Sequence, residues 1–499
     1  MSKISSKTKL LIIIFVFLII KQIIFVFAVP AWNNHDEPAH FHYTQYIVEE
    51  KKLPLNEIPI TSRGLSFSEA YAESEIITDS TRIMRGPNEQ FRFLNQRFDE
   101  QYSNFSTIKE ALINKSGKYL SITDNRDEYN DIYYKLPQNN KFINSAAIYQ
   151  PLYYILEAIP YTILGNQDIV TRLYAMRLFS NIFYILTLLV CYLIAMRISR
   201  NFKFSLTLLL LIGLLPVFSH LVAGVTNNTL LILIVTLLIY WSVRVFQNIS
   251  TKNVIWLGII LGLGMLTKPE FIIFAFPTII PFIYHLVFTK KCNIKLLLKY
   301  FLYILLLIIV ISGWWHLWVY LQQGNIFLSY ITLGESVSIS IAQIIQFLIS
   351  RWIYAFVSYG YAFGFATEMI LPLYIIFCGV ILSALSFFGY IYKTFFTKDK
   401  ISSEKKAIGI YLISGLVFIE LFFLYLFIKT LIAVGYARFP IDGRYYLPLV
   451  FNISFIFLLG IHYLLPKKII NLSYIILIVS LLIMNVISIW EIILLKFYL

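Results

Sequence analysis

The densest group of reactive side chains is the run Trp32-Asn-Asn-His-Asp-Glu-Pro-Ala-His-Phe-His-Tyr-Thr-Gln-Tyr-Ile-Val-Glu-Glu50. Its adjacent acids, Asp36 and Glu37, suit two jobs. A carboxylate here can take the proton of an acceptor hydroxyl or amine as general base. It can also cap a helix whose first turn holds Pro38, because acids are stabilised at the positive end of a helix. Both readings stand at this level, since one side chain can serve each in a different state. His35, Asp36, Glu37, His40 and His42 carry the donor types a divalent metal uses, and Asp36 and His40 stand i, i+4 on one helical face. That spacing is not diagnostic. His35 and His40 are weak metal-ligand candidates, and a divalent metal is the one cofactor the pattern suggests.

Two cations stand out by their surroundings. Lys268 lies between the apolar stretches Val254 to Leu266 and Phe271 to Ile280, where an ammonium is costly and therefore a functional candidate. An anion such as a lipid phosphate suits its charge and depth; pairing with Glu270, or snorkelling to the interface, is the structural alternative. Arg444, in Pro440-Ile-Asp-Gly-Arg-Tyr-Tyr-Leu-Pro448, is either a second phosphate-binding cation or an anchor among interfacial tyrosines. Aromatic groups at Tyr149 to Tyr154 and Gly313 to Trp318 suit an interfacial belt, with stacking on a sugar ring as the second reading.

The elements that must position these groups are membrane helices. Of 499 residues, 59% are hydrophobic and 14% charged, against roughly 45–50% and about 25% for a soluble domain. Apolar runs recur along nearly the whole chain at the length of about 20 residues that spans a bilayer, and helices are the spanning element open to them. The net charge of +14 sits in short blocks between these runs, where Lys and Arg orient a membrane protein. This distribution argues against nucleic acid as a partner. Three scattered cysteines imply no disulfide framework.

The charge bias puts the N-terminus in the cytoplasm and predicts an uncleaved first helix. Further crossings are predicted near 178–196, 204–222, 229–243, 254–266, 270–288, 299–320, 369–392, 407–434, 445–465 and 469–490. Parity leaves Ala146 to Leu164 and Ile341 to Val357 as re-entrant or surface-lying helices. The expected protein is an all-α, multi-pass integral membrane protein of about 11–13 transmembrane or re-entrant helices, with a large first extracytoplasmic loop. Its regions are 1–31 (first transmembrane helix), 32–145 (extracytoplasmic loop with the acidic motif), 146–320 (transmembrane core), 321–368 (extracytoplasmic segment with a membrane-associated helix) and 369–499 (C-terminal helices). The loop from Trp32, the turn near His220 to Asn228, the Thr267 to Glu270 turn and the Gly435 to Arg444 loop then share one face, the extracytoplasmic one.

The motifs resemble, in order, those of the GT-C superfamily of polyprenyl-phosphate-sugar-dependent glycosyltransferases, which includes protein O-mannosyltransferases and the lipid A aminoarabinose transferase. The matching pieces are Asp36-Glu37 with Pro38-Ala39-His40-Phe41, then Gln150-Pro151-Leu152-Tyr153-Tyr154, Arg177-Leu178, Asn227-Asn228, Leu266-Thr267-Lys268-Pro269, and Gly443-Arg444-Tyr445-Tyr446-Leu447-Pro448. The resemblance implies Asp36 as catalytic base or acceptor-positioning acid, Glu37 as its companion, and Lys268, with Arg444 second, as ligands of the carrier phosphate. It implies substrate-binding places for His40, Gln150, Tyr153 and Asn228. Gln150 and Asn228 are neutral where related enzymes often carry Lys or His and Asp, a departure that removes a second acid.

The implied reaction moves a sugar from a polyprenyl-phosphate carrier to an extracytoplasmic acceptor (a cell-envelope glycan, lipid or protein) by inverting displacement at the inner (plasma) membrane. A transporter or lipid-linked glycan flippase and an envelope-glycan polymerase or ligase are the rival readings. A transporter would place ionisable groups near the bilayer midplane in two related halves, whereas Lys21, Glu157 and Glu420 are scattered.

Overall fold

The computed structural model describes residues 5–29, 34, 36–53, 145–167, 169–289, 291–324, 345, 373–396, 402–434 and 443–490. Trp32, His35, most of the long polar segment, the stretch Ile341 to Val357 apart from Ile345, and residues 435–442 lie outside them.

Among the described residues the chain is helical throughout: α1 (Ser6–Ala28), α2 (Glu37–Glu50), α3 (Leu152–Ile163), α4 (Ile169–Ser199), α5 (Phe202–Gly213), α6 (Pro216–Val222), α7 (Asn227–Gln247), α8 (Thr251–Met265), α9 (Phe271–Thr289), α10 (Ile294–Gln322), α11 (Leu373–Ile391), α12 (Ser403–Val434), α13 (Val450–Leu464) and α14 (Lys467–Ile487). Over its described residues, each predicted crossing falls on a helix. Eight of the described helices are long and apolar enough to cross a membrane, or nine if α5 and α6 form one bent span. These counts cover the described residues alone; among them α8, predicted to cross, has only 15 residues. Charge bias and hydropathy locate a helix, but they do not report its length.

The bend between α5 and α6 is 58°. Pro216 opens α6, and a proline there can neither donate to the preceding turn nor continue its ladder. The carbonyls released at the break must find donors, because a bilayer offers none. Lys21 of α1 supplies one, its ammonium donating to the Gly213 carbonyl at 2.7 Å and to the Ser219 hydroxyl. Asn485 of α14 donates to the Leu214 carbonyl at 2.7 Å, and Gln22 to that of Ser219 at 2.9 Å. Lys21 therefore ends a broken helix.

α3 is predicted not to span, and its 12 residues reach only about 18 Å, short of the roughly 30 Å hydrocarbon core. It packs instead against α2. The Tyr43 ring stacks on Tyr154 with centroids 3.7 Å apart, and Phe41 meets Tyr161 edge-on at 5.6 Å. At the far end of α2, Glu49 accepts from the Tyr161 hydroxyl and lies 3.5 Å from Arg172 of α4. Phe41, Tyr43 and Tyr154 are all fully buried, so α2 is a built-in layer of the protein.

α11 and α13 pack so closely that a methyl group on Gly460 would strike the Ser386 backbone carbonyl. A Cβ on Gly313 would meet only the Ile309 side chain at ordinary contact distance, 3.4 Å. Gly460→Ala is therefore expected to lower stability by about 1–3 kcal/mol, as overpacking does, while Gly313→Ala leaves it unchanged; thermal denaturation in detergent, monitored by size exclusion, distinguishes them.

Candidate active site

Asp36 stands at the N-cap position of α2, with Pro38 in the first turn as the sequence predicts, yet its side chain makes no capping hydrogen bond. Its backbone is left-handed, with φ 54°, a conformation costly for a residue with a Cβ. The carboxylate is 44% exposed and lies 3.8 Å from the Arg444 guanidinium. Of the two jobs open to this acid, the geometry leaves capping unfilled.

Glu37, expected beside Asp36 as a second acid of the reaction, has both oxygens engaged elsewhere. Arg177 of α4 grips it bidentately, Nε to Oε1 at 2.7 Å and Nη2 to Oε2 at 2.6 Å, with both side chains fully buried. The Val225 amide adds a third donor at 2.9 Å. Arg177 spends its remaining nitrogen on the carbonyls of Val26 and Val29 at the end of α1, at 3.1 and 2.7 Å. Glu37 is thus a joint between α1, α2, α4 and the turn before α7.

That turn is tight. Asn34 donates to the His220 carbonyl at 2.7 Å, and any Cβ on Gly224 would collide with the Asn34 side chain. The turn delivers Asn228 to Lys268, whose ammonium donates to its side-chain oxygen at 3.0 Å. Lys268 is buried, 3% exposed, and also lies 3.6 Å from Glu270. The Glu270 pairing anticipated as a structural alternative is therefore present, but long and open to water on one side, with Glu270 31% exposed. The loop that carries Lys268 is pinned to the start of α3 by a backbone hydrogen bond, Leu152 N–H to Leu266 O, at 3.1 Å.

Aromatic rings draw the two cations together. Lys268 sits over Tyr149 at 5.0 Å and over Tyr445 at 5.8 Å, and Arg444 lies on the same Tyr445 ring at 5.2 Å. Tyr149 in turn stacks on His40 at 5.9 Å. The His40 imidazole is buried with Nδ1 2.8 Å from the Tyr154 hydroxyl. Burial pushes its pKa down to about 3, while among nearby charges Asp36 pulls it up and Lys268 and Arg444 push it further down. His40 is therefore a neutral wall within reach of all three charged groups.

The other expected positions divide. Gln150 is buried, and among the described residues its Oε1 has no hydrogen-bond partner, which suits a group that binds a ligand hydroxyl. Tyr153 does not offer its hydroxyl to the cations; it lies 2.8 Å from Ser180, which donates to Glu157 at 2.6 Å. Of the weak metal candidates, His35 lies outside the described residues and His40 is held by Tyr154. Among the described residues no three His, Cys, Asp or Glu side chains gather as a metal site. Reading the motifs singly misses the aromatic platform of Tyr149 and Tyr445 and the partner of Glu37. The signal for Arg177 was available, since an arginine inside the apolar stretch 169–199 requires an anion.

Breaking the buried pair as Glu37→Gln should cost about 3–5 kcal/mol, because Arg177 is left charged and unpaired. The double variant Glu37→Gln/Arg177→Met should recover part of that loss in thermal denaturation. His40 works oppositely to a salt-bridged group. Its folded pKa is depressed below the unfolded value of about 6.5, so its contribution is complete above that value and declines as pH falls toward about 3. His40→Gln should flatten that part of the stability profile, read as melting temperature against pH.

Residues 151–318 match the family model described as dolichyl-phosphate-mannose-protein mannosyltransferase. Two solved structures are similar to the chain. ArnT from Cupriavidus metallidurans bound to undecaprenyl phosphate is 14% identical, with a TM-score of 0.30 over 62% of this chain and 67% of that one. The same protein in the apo state is 15% identical, with a TM-score of 0.28 over 62% and 66%. No curated protein sequence matches the chain. The matched region holds Arg177, the Asn228 turn and Lys268, and over that third of a multi-pass membrane protein the chain is similar to the mannosyltransferase family.

Proposed function

We propose that the protein transfers a sugar from a polyprenyl-phosphate carrier to an acceptor at the extracytoplasmic face of the inner membrane, by inverting displacement at the anomeric carbon. The observation that carries this reading is the convergence of an uncapped, half-exposed carboxylate, Asp36, with two cations, Lys268 and Arg444, mounted on one shared tyrosine, Tyr445, at the ends of apolar helices. The family that the matching model describes is named for dolichyl-phosphate-mannose, a sugar carried on a lipid phosphate. The charge bias of the sequence supports the extracytoplasmic placement.

The chemistry follows from the charges. The acceptor oxygen or nitrogen attacks the anomeric carbon opposite the phosphate, the carbon–oxygen bond to phosphate breaks, and the acceptor proton passes to Asp36. The donor phosphate carries one negative charge as a diester and gains another as it leaves. Lys268, already buried and held by Asn228, is preorganised to receive that charge without the reorganisation that water would need. Gln150 takes a sugar hydroxyl with its unpartnered oxygen, and the rings of Tyr149 and Tyr445 cover the phosphate and the first sugar carbons. Glu37 and Tyr153, bound to protein groups, hold the frame, and His40 shields Asp36 from behind.

Asp36→Asn should reduce sugar transfer by about 10²–10⁴-fold, the usual worth of a general base, while donor binding persists. Lys268→Ala should weaken donor binding at least about tenfold, since a charge-assisted contact to an anion is lost. Turnover and binding of radiolabelled polyprenyl-phosphate sugars by purified protein in nanodiscs measure both. A folded wild-type protein that neither binds nor consumes any such donor sinks the reading.

A further inference from the structure

Two acid–cation pairs stand side by side in this site and differ sharply in grip. Glu37 and Arg177 are bidentate, at 2.6 and 2.7 Å, and fully buried. Asp36 and Arg444 are 3.8 Å apart, beyond hydrogen-bond range, with side chains 44% and 15% exposed. Asp36 is not tied down by a cap. Arg444 rests on Tyr445, the ring that also carries Lys268, so a small swing over that ring brings its guanidinium toward whatever anion Lys268 holds.

Resting on the reading of the site as a carrier-phosphate site, we infer that Arg444 is a shared cation. It pairs with Asp36, 3.8 Å away, and transfers to the carrier phosphate during the reaction. The charge changes of the displacement drive the exchange. As the bond to the anomeric carbon breaks, the phosphate goes from one negative charge to two. In the same step Asp36 receives the acceptor proton and loses its charge. The pull of the phosphate on Arg444 rises as the pull of Asp36 vanishes, an interaction stronger in the transition state than in the ground state. When Asp36 gives up its proton it recaptures Arg444 and loosens the hold on the spent carrier. Arg444 thereby couples the state of the base to the affinity for phosphate.

The consequence is that Asp36 and phosphate compete for one guanidinium, which a double-mutant cycle detects. Undecaprenyl phosphate binding would be measured by native mass spectrometry in phosphatidylcholine nanodiscs for wild type, Asp36→Asn, Arg444→Gln and the double variant. Undecaprenol serves as the control that lacks the phosphate. Asp36→Asn should tighten binding about tenfold when Arg444 is present but only about twofold in the Arg444→Gln background, the excess being the coupling of contacting groups. Equal tightening in both backgrounds overturns the inference, because Asp36 then acts merely as a nearby negative charge. If wild type holds undecaprenyl phosphate no better than undecaprenol, the phosphate site itself fails and the exchange with it. An additive cycle with normal wild-type binding fails the exchange alone. Should Arg444→Gln melt early, Arg444→Met keeps the aliphatic stem on Tyr445 and gives the same comparison.

Discussion

The ion pair between Glu37 and Arg177 is the constraint on which the site depends. One guanidinium joins the last carbonyls of α1, the first turn of α2 and its own helix α4, while one carboxylate oxygen also takes the Val225 amide. Four parts of the chain, with Val225 lying 188 residues beyond Glu37, are fixed by a contact that tolerates no loosening, because an unpaired charge in a fully buried place is far costlier than an unpaired polar group. Everything functional is hung from it. Asp36 is the residue before Glu37, and Asn228, which holds Lys268, is three residues beyond Val225.

That arrangement explains how adjacent acids of similar chemistry come to differ in role. Glu37 points into protein and is saturated by donors; Asp36, forced into a left-handed backbone at the helix start, turns its carboxylate to the open side. The strain at Asp36 is held in place by the rigidity of its neighbour, which is how unfavourable backbone conformations persist at sites of chemistry. A clamp and a reactive group placed one residue apart transmit little slack between them.

The rest of the site is assembled by packing. Tyr149 and Tyr445 are ordinary interfacial aromatics by composition, yet each lies under a cation. An aromatic face stabilises a cation without neutralising it, so Lys268 and Arg444 keep their charge available for an anion. The same economy of donors appears at the broken helix, where Lys21 and Asn485 supply what Pro216 removed. Lys21, Glu157 and Glu420, the scattered ionisable groups that a transporter would have to use, each have a local protein partner: the Gly213 carbonyl, the Ser180 hydroxyl and the Tyr446 hydroxyl.

By itself, the sequence determined the medium, the helices and the candidate chemistry. Apolar run length and the placement of Lys and Arg locate every described span, Pro38 marks the start of α2, and Lys268 declares itself by lying between apolar stretches. These signals are local, and a bilayer makes them strong because each helix must satisfy its own backbone. What only the tertiary structure decided is which polar groups face one another. The identity of Glu37's partner, the failure of Asp36 to cap and the sharing of Tyr445 by two cations all arise from contacts between segments distant in the chain. Such contacts follow from packing geometry, which residue type and spacing do not encode.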